Sequence, residues 1–379
     1  MNKWKKLAAT GVTFAAVTLL AACGGGSKTE SKGSKTELNW YTPTEIITLD
    51  ISKNTDRYSA TAIGNSGSNL LRAGEAGKLN EDLAEKVDVS ADGLTYTATL
   101  RDGLKWSDGS DLTAEDFVYS WQRIADPKTA SEYAYLVSEA NVLNADEVIA
   151  GTKPVEELGV KADGNKVIFT LSAPAPQFMS LLSFSNFAPQ SKAFVEKVGD
   201  EYGTASDKQI YSGPFTVEDW NGTSGSFKLV KNENYWDAKN VKLETVNFET
   251  VKKPDTAVQM YKQGELDFAT ISDTPAIYNA NKKNEDVVPV KEATTAYIVY
   301  NQTGSVPALT NTKIRQALNL ATNREGVVEA AVNTGSVAAT GFAPSGLASL
   351  TDGTDLAEFV APGYKYDEAE AAKLFKEGL

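Results

Sequence analysis

The sequence predicts an α/β fold, in which strands alternate with helices along the chain. Residues 94–100 alternate apolar and polar side chains, as expected for a strand with one buried face. Residues 114–125 instead carry apolar side chains at helical spacing. Because such pairs of segments recur along the chain, α/β is favoured over an all-β fold. The length of 379 residues predicts two or three domains with substantial cores.

The N-terminus predicts export and anchoring. Three lysines precede a mostly apolar run over residues 7–20, which indicates a secretory signal peptide over residues 1–22, too short to span a membrane. The order Leu-Ala-Ala-Cys that ends at Cys23 resembles a bacterial lipobox, which implies a lipid on Cys23; the alternative is an unmodified thiol at a cleavage site. Residues 23–37 are polar and rich in glycine and serine, so we predict a flexible, lipid-anchored tether.

Composition narrows the partners. The chain has 37 Lys and Arg against 50 Asp and Glu, a formal net charge of −13. A protein this acidic is repelled by phosphate backbones and anionic lipid head groups. We therefore expect no nucleic-acid partner, and membrane contact only through the lipid. With a single cysteine in the sequence, no disulfide can form within the chain.

The most informative stretch is residues 90–124, which predicts a strand, tight turns and a helix. Asp-Gly pairs mark turns on both sides of the strand at 94–100. Thr113 and Asp116 form an acidic variant of the capping box at the start of the helix. The helix should end near residue 125, because Pro127 cannot lie within it. Its buried stripe is predicted to contain Phe117, Trp121 and Ile124.

The remaining elements are predicted in chain order. Residues 38–41 form a first strand, and residues 53–58 are polar without a helical pattern and are predicted to be a surface loop. An apolar helix is predicted over 135–143. Hairpins are expected at Asp163-Gly164 and across Asn221-Gly222. Further strands are predicted within 241–251, at 266–270 and at 297–300. A helix is predicted between the cap Asp255 and Gly264, which ends it. Another is capped by Thr310 or Asn311 and carries Ile314, and a last amphipathic helix lies near Leu379.

Residue types argue against catalysis. The sequence contains no histidine, which excludes Ser-His-Asp and Cys-His sites and histidine-based zinc sites. It has no P-loop, no G-x-S-x-G and no G-x-G-x-x-G motif. Carboxylates are plentiful, so residue type alone leaves a two-carboxylate glycosidase or an oxygen-ligand calcium site open. We predict that the chain is not an enzyme and needs no cofactor.

Several stretches carry a resemblance to a known family. They are DGLTY at 92–96, LRDGLKWSDG at 100–109, LTAEDFVYSWQR at 112–123, GPF at 213–215, KNENYWD at 231–237, QGELD at 263–267, IRQAL at 314–318 and NRE at 323–325. In this order they resemble the oligopeptide-binding proteins of the family 5 extracellular solute-binding group. The resemblance implies a two-lobed, periplasmic-binding-protein-like (type II) architecture with an extra domain and mixed sheets flanked by helices. The implied parts are domain I at 38–67 and 191–293, domain II at 68–190 and domain III at 294–379.

The resemblance also implies a binding site. Family members hold a peptide through its backbone, as an added strand, while its side chains face roomy pockets. Thr55, Asp56 and Arg57 stand where the family's pairing segment lies; the alternative is an inert loop. Tyr133 matches a pocket tyrosine, and Tyr297 matches another, although an aromatic residue in an apolar strand is more often core.

The sequence departs from the family pattern at its end. It stops at Leu379, where relatives continue through domain III and back into domain I. The resemblance therefore implies an incomplete domain III, without the acidic residue that holds the peptide ammonium in relatives. On this ground we expect the chain to bind peptides poorly, in roughly the millimolar range or weaker. We expect the strand at 297–300 and the helix with Ile314 to lack partners, which would expose an apolar patch and favour aggregation.

The function that the resemblance implies is a lipid-anchored receptor that delivers oligopeptides to the permease and ATPase subunits of an ABC importer. It would lie on the outer face of the bacterial cytoplasmic membrane. One alternative is a surface peptide sensor or adhesin that is not coupled to transport. Another is a non-functional, truncated remnant. A related receptor for nickel or haem is a further alternative, against which the absence of histidine argues.

Overall fold

The computed structural model describes residues 36–379 except 75–77, 273, 291, 293, 333, 349, 351, 361, 362 and 364. The predicted signal peptide, the lipidation site Cys23 and all but the last two residues of the tether lie outside the described residues. None of the helices that the structure describes is both long and apolar enough to cross a membrane.

Runs of strands and runs of helices follow one another through the first two thirds of the chain, and the last third that the structure describes contains helices. The strands are β1 (Glu37–Thr42), β2 (Leu71–Ala73), β3 (Leu79–Glu81), β4 (Ala84–Val89), β5 (Thr95–Leu100), β6 (Val160–Asp163), β7 (Lys166–Thr170), β8 (Phe215–Glu218), β9 (Ser226–Lys231) and β10 (Thr245–Thr250). The α-helices are α1 (Arg57–Ser66), α2 (Ala114–Ala125), α3 (Tyr135–Glu139), α4 (Ala145–Ile149), α5 (Phe178–Leu181), α6 (Lys192–Val198), α7 (Pro254–Gln263), α8 (Pro275–Asn281), α9 (Thr312–Ala321), α10 (Arg324–Val327), α11 (Leu356–Phe359) and α12 (Glu368–Gly378).

The first sheet has the strand order β1-β10-β9-β8 and is mixed. β1 runs parallel to β10, with Trp40 opposite Phe248, and the other two pairings are antiparallel. A parallel pairing needs a long crossover. Here the whole of the second sheet lies between the two paired strands in sequence. The first core packs around this sheet and α1 and consists of Ile46, Leu49, Ile51, Ala62, Ile63, Ala188, Tyr211, Phe215, Val217, Trp220, Phe227, Leu229, Val246 and Phe248.

The second sheet has the order β4-β5-β7-β6 and is fully antiparallel. Helix α2 packs against β6 and β7 with the predicted stripe, since Phe117, Trp121 and Ile124 are all completely buried. The second core surrounds this sheet and includes Leu70, Leu83, Tyr96, Leu100, Phe117, Trp121, Ile124, Val167, Phe169, Phe178, Leu182, Phe187 and Ile210.

The chain passes between the two cores four times. It leaves the first core after Ile63 and joins the second at Leu70, and it returns to the first between Phe187 and Ala188. It then reaches the second core again at Ile210 and rejoins the first at Tyr211. The two cores are therefore joined by several chain segments, and polar side chains lie where these segments meet.

Local signals predicted several boundaries correctly. Helix α2 ends at Ala125, and Asp116 Oδ2 accepts a 2.8 Å hydrogen bond from Thr113 N in the capping box. Gly264 ends α7 in the left-handed conformation, with φ of 76°, which favours glycine. Asn311 caps α9, and both predicted hairpins are present.

Other predictions were wrong. Residues 53–58 are not only loop, because α1 begins at Arg57. Helix α7 begins with Pro254, one residue before the expected cap Asp255. The apolar stretch at 135–143 contains only the short α3 before α4. Residues 266–270 are not a strand; Phe268 stacks on Trp40 at 4.1 Å between ring centroids.

The end of the described chain also differs from expectation. Residues 297–300 are not a strand and pair with no strand among the described residues, and Ile298 and Val299 are each 77% exposed. The helix with Ile314 does have a partner, because α9 packs against α12 and buries Ile314. The expectation of an unpartnered helix was therefore wrong, whereas aggregation stays a prediction.

Candidate functional site

The candidate binding segment, residues 51–57, leads into α1. Asp56 is the N-cap of this helix: its Oδ1 accepts hydrogen bonds from Tyr58 N at 2.9 Å and Ser59 N at 2.8 Å. Asp before a helix is a known start signal, and the sequence prediction overlooked it. Thr55 and Arg57 are exposed, and Arg57 Nη2 lies 3.6 Å from Glu292 Oε1.

The backbone of this segment is fixed from both sides. On the N-terminal side, Asp50 O accepts from the backbone N–H groups of Lys53 and Asn54, and Asp50 Oδ1 accepts from Ser52 N at 3.0 Å. On the other side, Asn186 Nδ2 donates to Ile51 O at 2.9 Å and to Asn54 O at 2.8 Å. The segment is therefore held by a side chain that lies 132 residues away from Asn54 in sequence.

Behind the segment lies a buried ion pair. Arg123 Nη1 donates to Asp50 Oδ1 at 2.6 Å and Nη2 donates to Oδ2 at 2.7 Å, with only 12% and 4% of the two side chains exposed. Burial opposes the charged form of the guanidinium, but the hydrogen bonds and charge of Asp50 raise the pKa of Arg123 above its usual value. The ring of Tyr202 lies 5.0 Å from the guanidinium. Burial, reinforced by the charge of Asp50, raises the pKa of Tyr202 above its usual value.

Gln190 extends this pair into a network that we call the polar cluster, which consists of Asp50, Ser52, Ser120, Arg123 and Gln190. Gln190 Oε1 accepts from Arg123 at 2.8 Å, and Nε2 donates to Ser52 Oγ at 2.8 Å and to Ser120 Oγ at 3.0 Å. Arg123 and Ser120 come from α2 of the second core, whereas Asp50 and Ser52 flank first-core residues. The polar cluster therefore joins the two cores beneath the candidate binding segment.

Tyr133 lies near the same turn that carries Asn186. It is half-buried against the second core, with its ring edge-to-face on Phe184 at 5.5 Å. Phe184 immediately precedes the 3-10 turn Ser185–Phe187, which contains Asn186. One turn therefore contacts Tyr133 through Phe184 and the candidate binding segment through Asn186. Tyr297 lies on a different segment, exposed, with its ring 5.0 Å from that of Phe342.

A second buried carboxylate strengthens the junction between the cores. Asp82 is buried and accepts from Arg72 Nε at 3.1 Å, Tyr235 OH at 3.1 Å and Trp236 Nε1 at 2.9 Å. Burial and the charge of Asp82 raise the pKa of Tyr235 to about 12. The guanidinium of Arg101 covers the Trp236 ring at 3.9 Å. This group fixes the turn after β9 to the loop before β4.

The described residues enclose little empty space at this junction. A cavity of about 50 Å³ is lined by Ile63, Gly64, Gly67, Ser68, Asn69, Leu71, Arg72, Asp82, Ser183, Ser185 and Ala188. It has room for a few water molecules only.

Two acceptor atoms in the candidate binding segment are buried without a hydrogen-bond partner among the described residues, Asn54 Oδ1 and Asp56 Oδ2. A buried acceptor without a donor costs about 1–3 kcal/mol. A donor from water or from a ligand would remove this cost. Within the part of the chain that the structure describes, no three His, Cys, Asp or Glu side chains are arranged to hold a metal ion.

The family model for "Bacterial extracellular solute-binding proteins, family 5 Middle" matches residues 78–379. The chain belongs to this family. The predicted fold class is confirmed, and the match covers all of the stretches that carried the resemblance.

Named relatives agree with this family. The chain is 44% identical over 372 residues to a dipeptide-binding protein of Lactococcus lactis, covering 95% of this chain and 66% of that protein. It is similar to a peptide-bound OppA of Listeria monocytogenes, with a TM-score of 0.80 and 33% identity over 92% of this chain and 68% of that one. It is also similar to the pheromone receptor PrgZ, with a TM-score of 0.80 and 30% identity over 90% of this chain and 68% of that one. The chain thus spans about two thirds of the length of these relatives.

Proposed function

We propose that this chain is a lipid-anchored, extracellular receptor that binds oligopeptides and delivers them to the permease and ATPase subunits of an ABC importer. The observation that carries the proposal is the fold it shares with the peptide-bound Listeria protein over 92% of its length. We propose no catalytic role, because the family is one of solute-binding proteins.

The proposal also assigns residues 38–67 and 191–293 to one lobe and residues 68–190 to the other. The pairing of β1 with β10 and the separate second core support this division.

In the proposed complex the peptide lies extended beside residues 51–57. Thr55 and Arg57 would meet the peptide, which their exposure supports, and the buried Asp56 Oδ2, which does not cap α1, would accept a donor from it. Tyr133 would line the same surface through its contact with Phe184, and Tyr297 would approach from domain III, residues 294–379. Backbone hydrogen bonds each contribute only about 0.5–1.5 kcal/mol net, so several are needed for useful affinity.

Calorimetry tests the proposal directly. The purified chain, stripped of co-purified ligand, is titrated with mixed tetra- to octapeptides, and native mass spectrometry identifies any peptide that it carries from the cell. For a working receptor we expect micromolar or tighter binding, about −8 kcal/mol or more favourable, which would overturn the sequence-based expectation of roughly millimolar affinity. If a monomeric, cooperatively melting sample binds no peptide, the receptor proposal is wrong for this chain, and the non-functional alternative is favoured.

Tyr133→Ala separates a binding role from a packing role. We expect it to weaken peptide binding about tenfold, equivalent to about 1.4 kcal/mol. The melting temperature should change little, because the half-buried ring loses mainly its edge-to-face contact with Phe184. Tyr261→Ala, a half-buried tyrosine on α7, is the control. A large drop in melting temperature with unchanged affinity would identify Tyr133 as a core residue.

Cys23→Ala tests the lipid anchor. Without acyl chains the polar tether has no apolar group to hold a membrane, so we expect the variant protein to appear in the soluble extracellular fraction. Cell fractionation followed by high-salt washing makes the measurement. A variant that stays with the membrane and resists salt extraction would contradict the lipoprotein proposal.

A peptide sensor that does not feed a transporter is the second candidate function. It is favoured by the similarity to a structure described as a pheromone receptor. Uptake of labelled peptides by a deletion strain distinguishes the two. Loss of uptake that the restored gene repairs supports the importer; unchanged uptake with a lost peptide response supports the sensor.

A further inference from the structure

We infer that Asn186 is a positioning residue, which holds the backbone of residues 51–57 in the arrangement that receives a peptide. The inference rests on the proposed function and extends it to residues that would not touch the ligand. Asn186 is buried, with only 2% of the residue exposed. It can therefore act on a peptide only through the segment that it holds.

The geometry gives Asn186 a specific task. One amide nitrogen, Nδ2, bridges the carbonyl oxygens of Ile51 and Asn54 at 2.9 and 2.8 Å. These two bonds span the turn that precedes α1. A peptide bound as an added strand reads the backbone groups of its receptor at fixed spacing. Tying down these two carbonyl groups determines which backbone groups of the segment remain free for a ligand.

The polar cluster supports the same segment from below. Asp50 is fixed by Arg123 through two charge-assisted hydrogen bonds, and its backbone and side chain then bond to Ser52, Lys53 and Asn54. Gln190 donates to Ser52 Oγ at 2.8 Å. Position 203, which packs against Asp50, requires glycine, because a Cβ at Gly203 would come within 2.2 Å of Asp50 N. The segment is therefore fixed by contacts from both cores.

Asn186→Asp is the sharpest variant because it changes a single donor group into an acceptor. The new oxygen would face the carbonyl oxygens of Ile51 and Asn54 and repel both, with no change in shape. Asn232→Asp is the matched control. Asn232 is 3% exposed, and its Nδ2 also donates to a backbone carbonyl, Gly213 O at 2.8 Å, at a position after β9 that does not contact the segment.

The experiment compares the wild type, Asn186→Asp and Asn232→Asp in three measurements. These are peptide affinity by calorimetry, melting temperature, and hydrogen exchange of the backbone amides of residues 52–54. We expect Asn186→Asp to weaken affinity about tenfold or more and to speed exchange at these amides. Asn232→Asp should lower the melting temperature to a similar extent but leave affinity within about twofold and the exchange unchanged. If Asn186→Asp does not fold, Asn186→Ala removes the donors without adding a charge.

The outcomes separate this inference from the proposed function. If the wild type binds peptide and Asn186→Asp binds it equally well, the positioning role is wrong. Equal loss of affinity in both variants would also overturn it, because the effect would then follow global stability. If the wild type binds no peptide, the proposed function fails, but unchanged exchange at residues 52–54 in the Asn186 variant would still refute the positioning role.

Discussion

Arg123→Met is expected to lower the free energy of unfolding by about 3–5 kcal/mol, because it leaves the buried Asp50 carboxylate without its ion-pair partner. Both carboxylate oxygens lose a short hydrogen bond, of 2.6 and 2.7 Å, and Gln190 Oε1 loses a donor as well. Methionine fills part of the space, so the loss is mainly electrostatic. Denaturant unfolding followed by circular dichroism measures it as a lower midpoint at unchanged slope.

A surface pair provides the control. Lys105 and Asp111 form a similarly short ion pair, 2.5 Å between Nζ and Oδ1, but 42% and 74% of their side chains are exposed. Lys105→Met should therefore cost less than about 1 kcal/mol. The double variant Asp50→Asn with Arg123→Met removes both charges and should recover part of the stability lost in Arg123→Met. Equal costs for Arg123→Met and Lys105→Met would contradict the view that burial makes this pair important.

The position of this pair gives the prediction a functional consequence. Arg123 belongs to the helix that closes the second core, and Asp50 lies between Leu49 and Ile51 of the first core. Buried polar groups make all of their hydrogen bonds only when their partners lie in one particular arrangement. The pair therefore favours a single arrangement of the two cores, with the candidate binding segment immediately above it.

Local sequence signals predicted those parts of the fold whose partners lie a few residues apart. The capping box at Thr113 joins residues three apart, and the buried stripe of α2 follows helical periodicity. Hairpin turns and the glycine end of α7 are similarly local. The α/β class followed from the alternation of such signals.

Long-range partners explain what the sequence could not predict. Asp50 lies 73 residues from Arg123, and Asn186 lies 135 residues from Ile51, so no periodic pattern connects them.

Of the predicted site residues, Asp56 has a helix-capping role that its position before α1 could have indicated. Residues 266–270 have the apolar pattern of a strand, but Phe268 satisfies it by stacking on Trp40. Residues 297–300 have strong β-propensity without a neighbouring strand among the described residues.

Trp121→Ala is expected to lower the free energy of unfolding by about 3–5 kcal/mol, the usual cost of deleting a large aromatic side chain from a core. Trp121 is completely buried, with ring centroids 4.3 Å from Phe187, 4.9 Å from Phe169 and 5.8 Å from Phe178. Its removal opens a cavity among three rings that come from different elements. Unfolding in guanidinium chloride measures the cost, and the remaining tryptophans report the transition by fluorescence.

Trp121→Phe isolates the contribution of packing. The indole Nε1 of Trp121 is buried and has no hydrogen-bond partner among the described residues, so its loss breaks no bond to the protein. Removing an unsatisfied buried donor even recovers about 1–3 kcal/mol of desolvation cost, which offsets part of the lost ring area. We therefore expect Trp121→Phe to cost less than half as much as Trp121→Ala. Equal costs would mean that the indole N–H makes a specific interaction at this site and that ring packing is not the main source of stability.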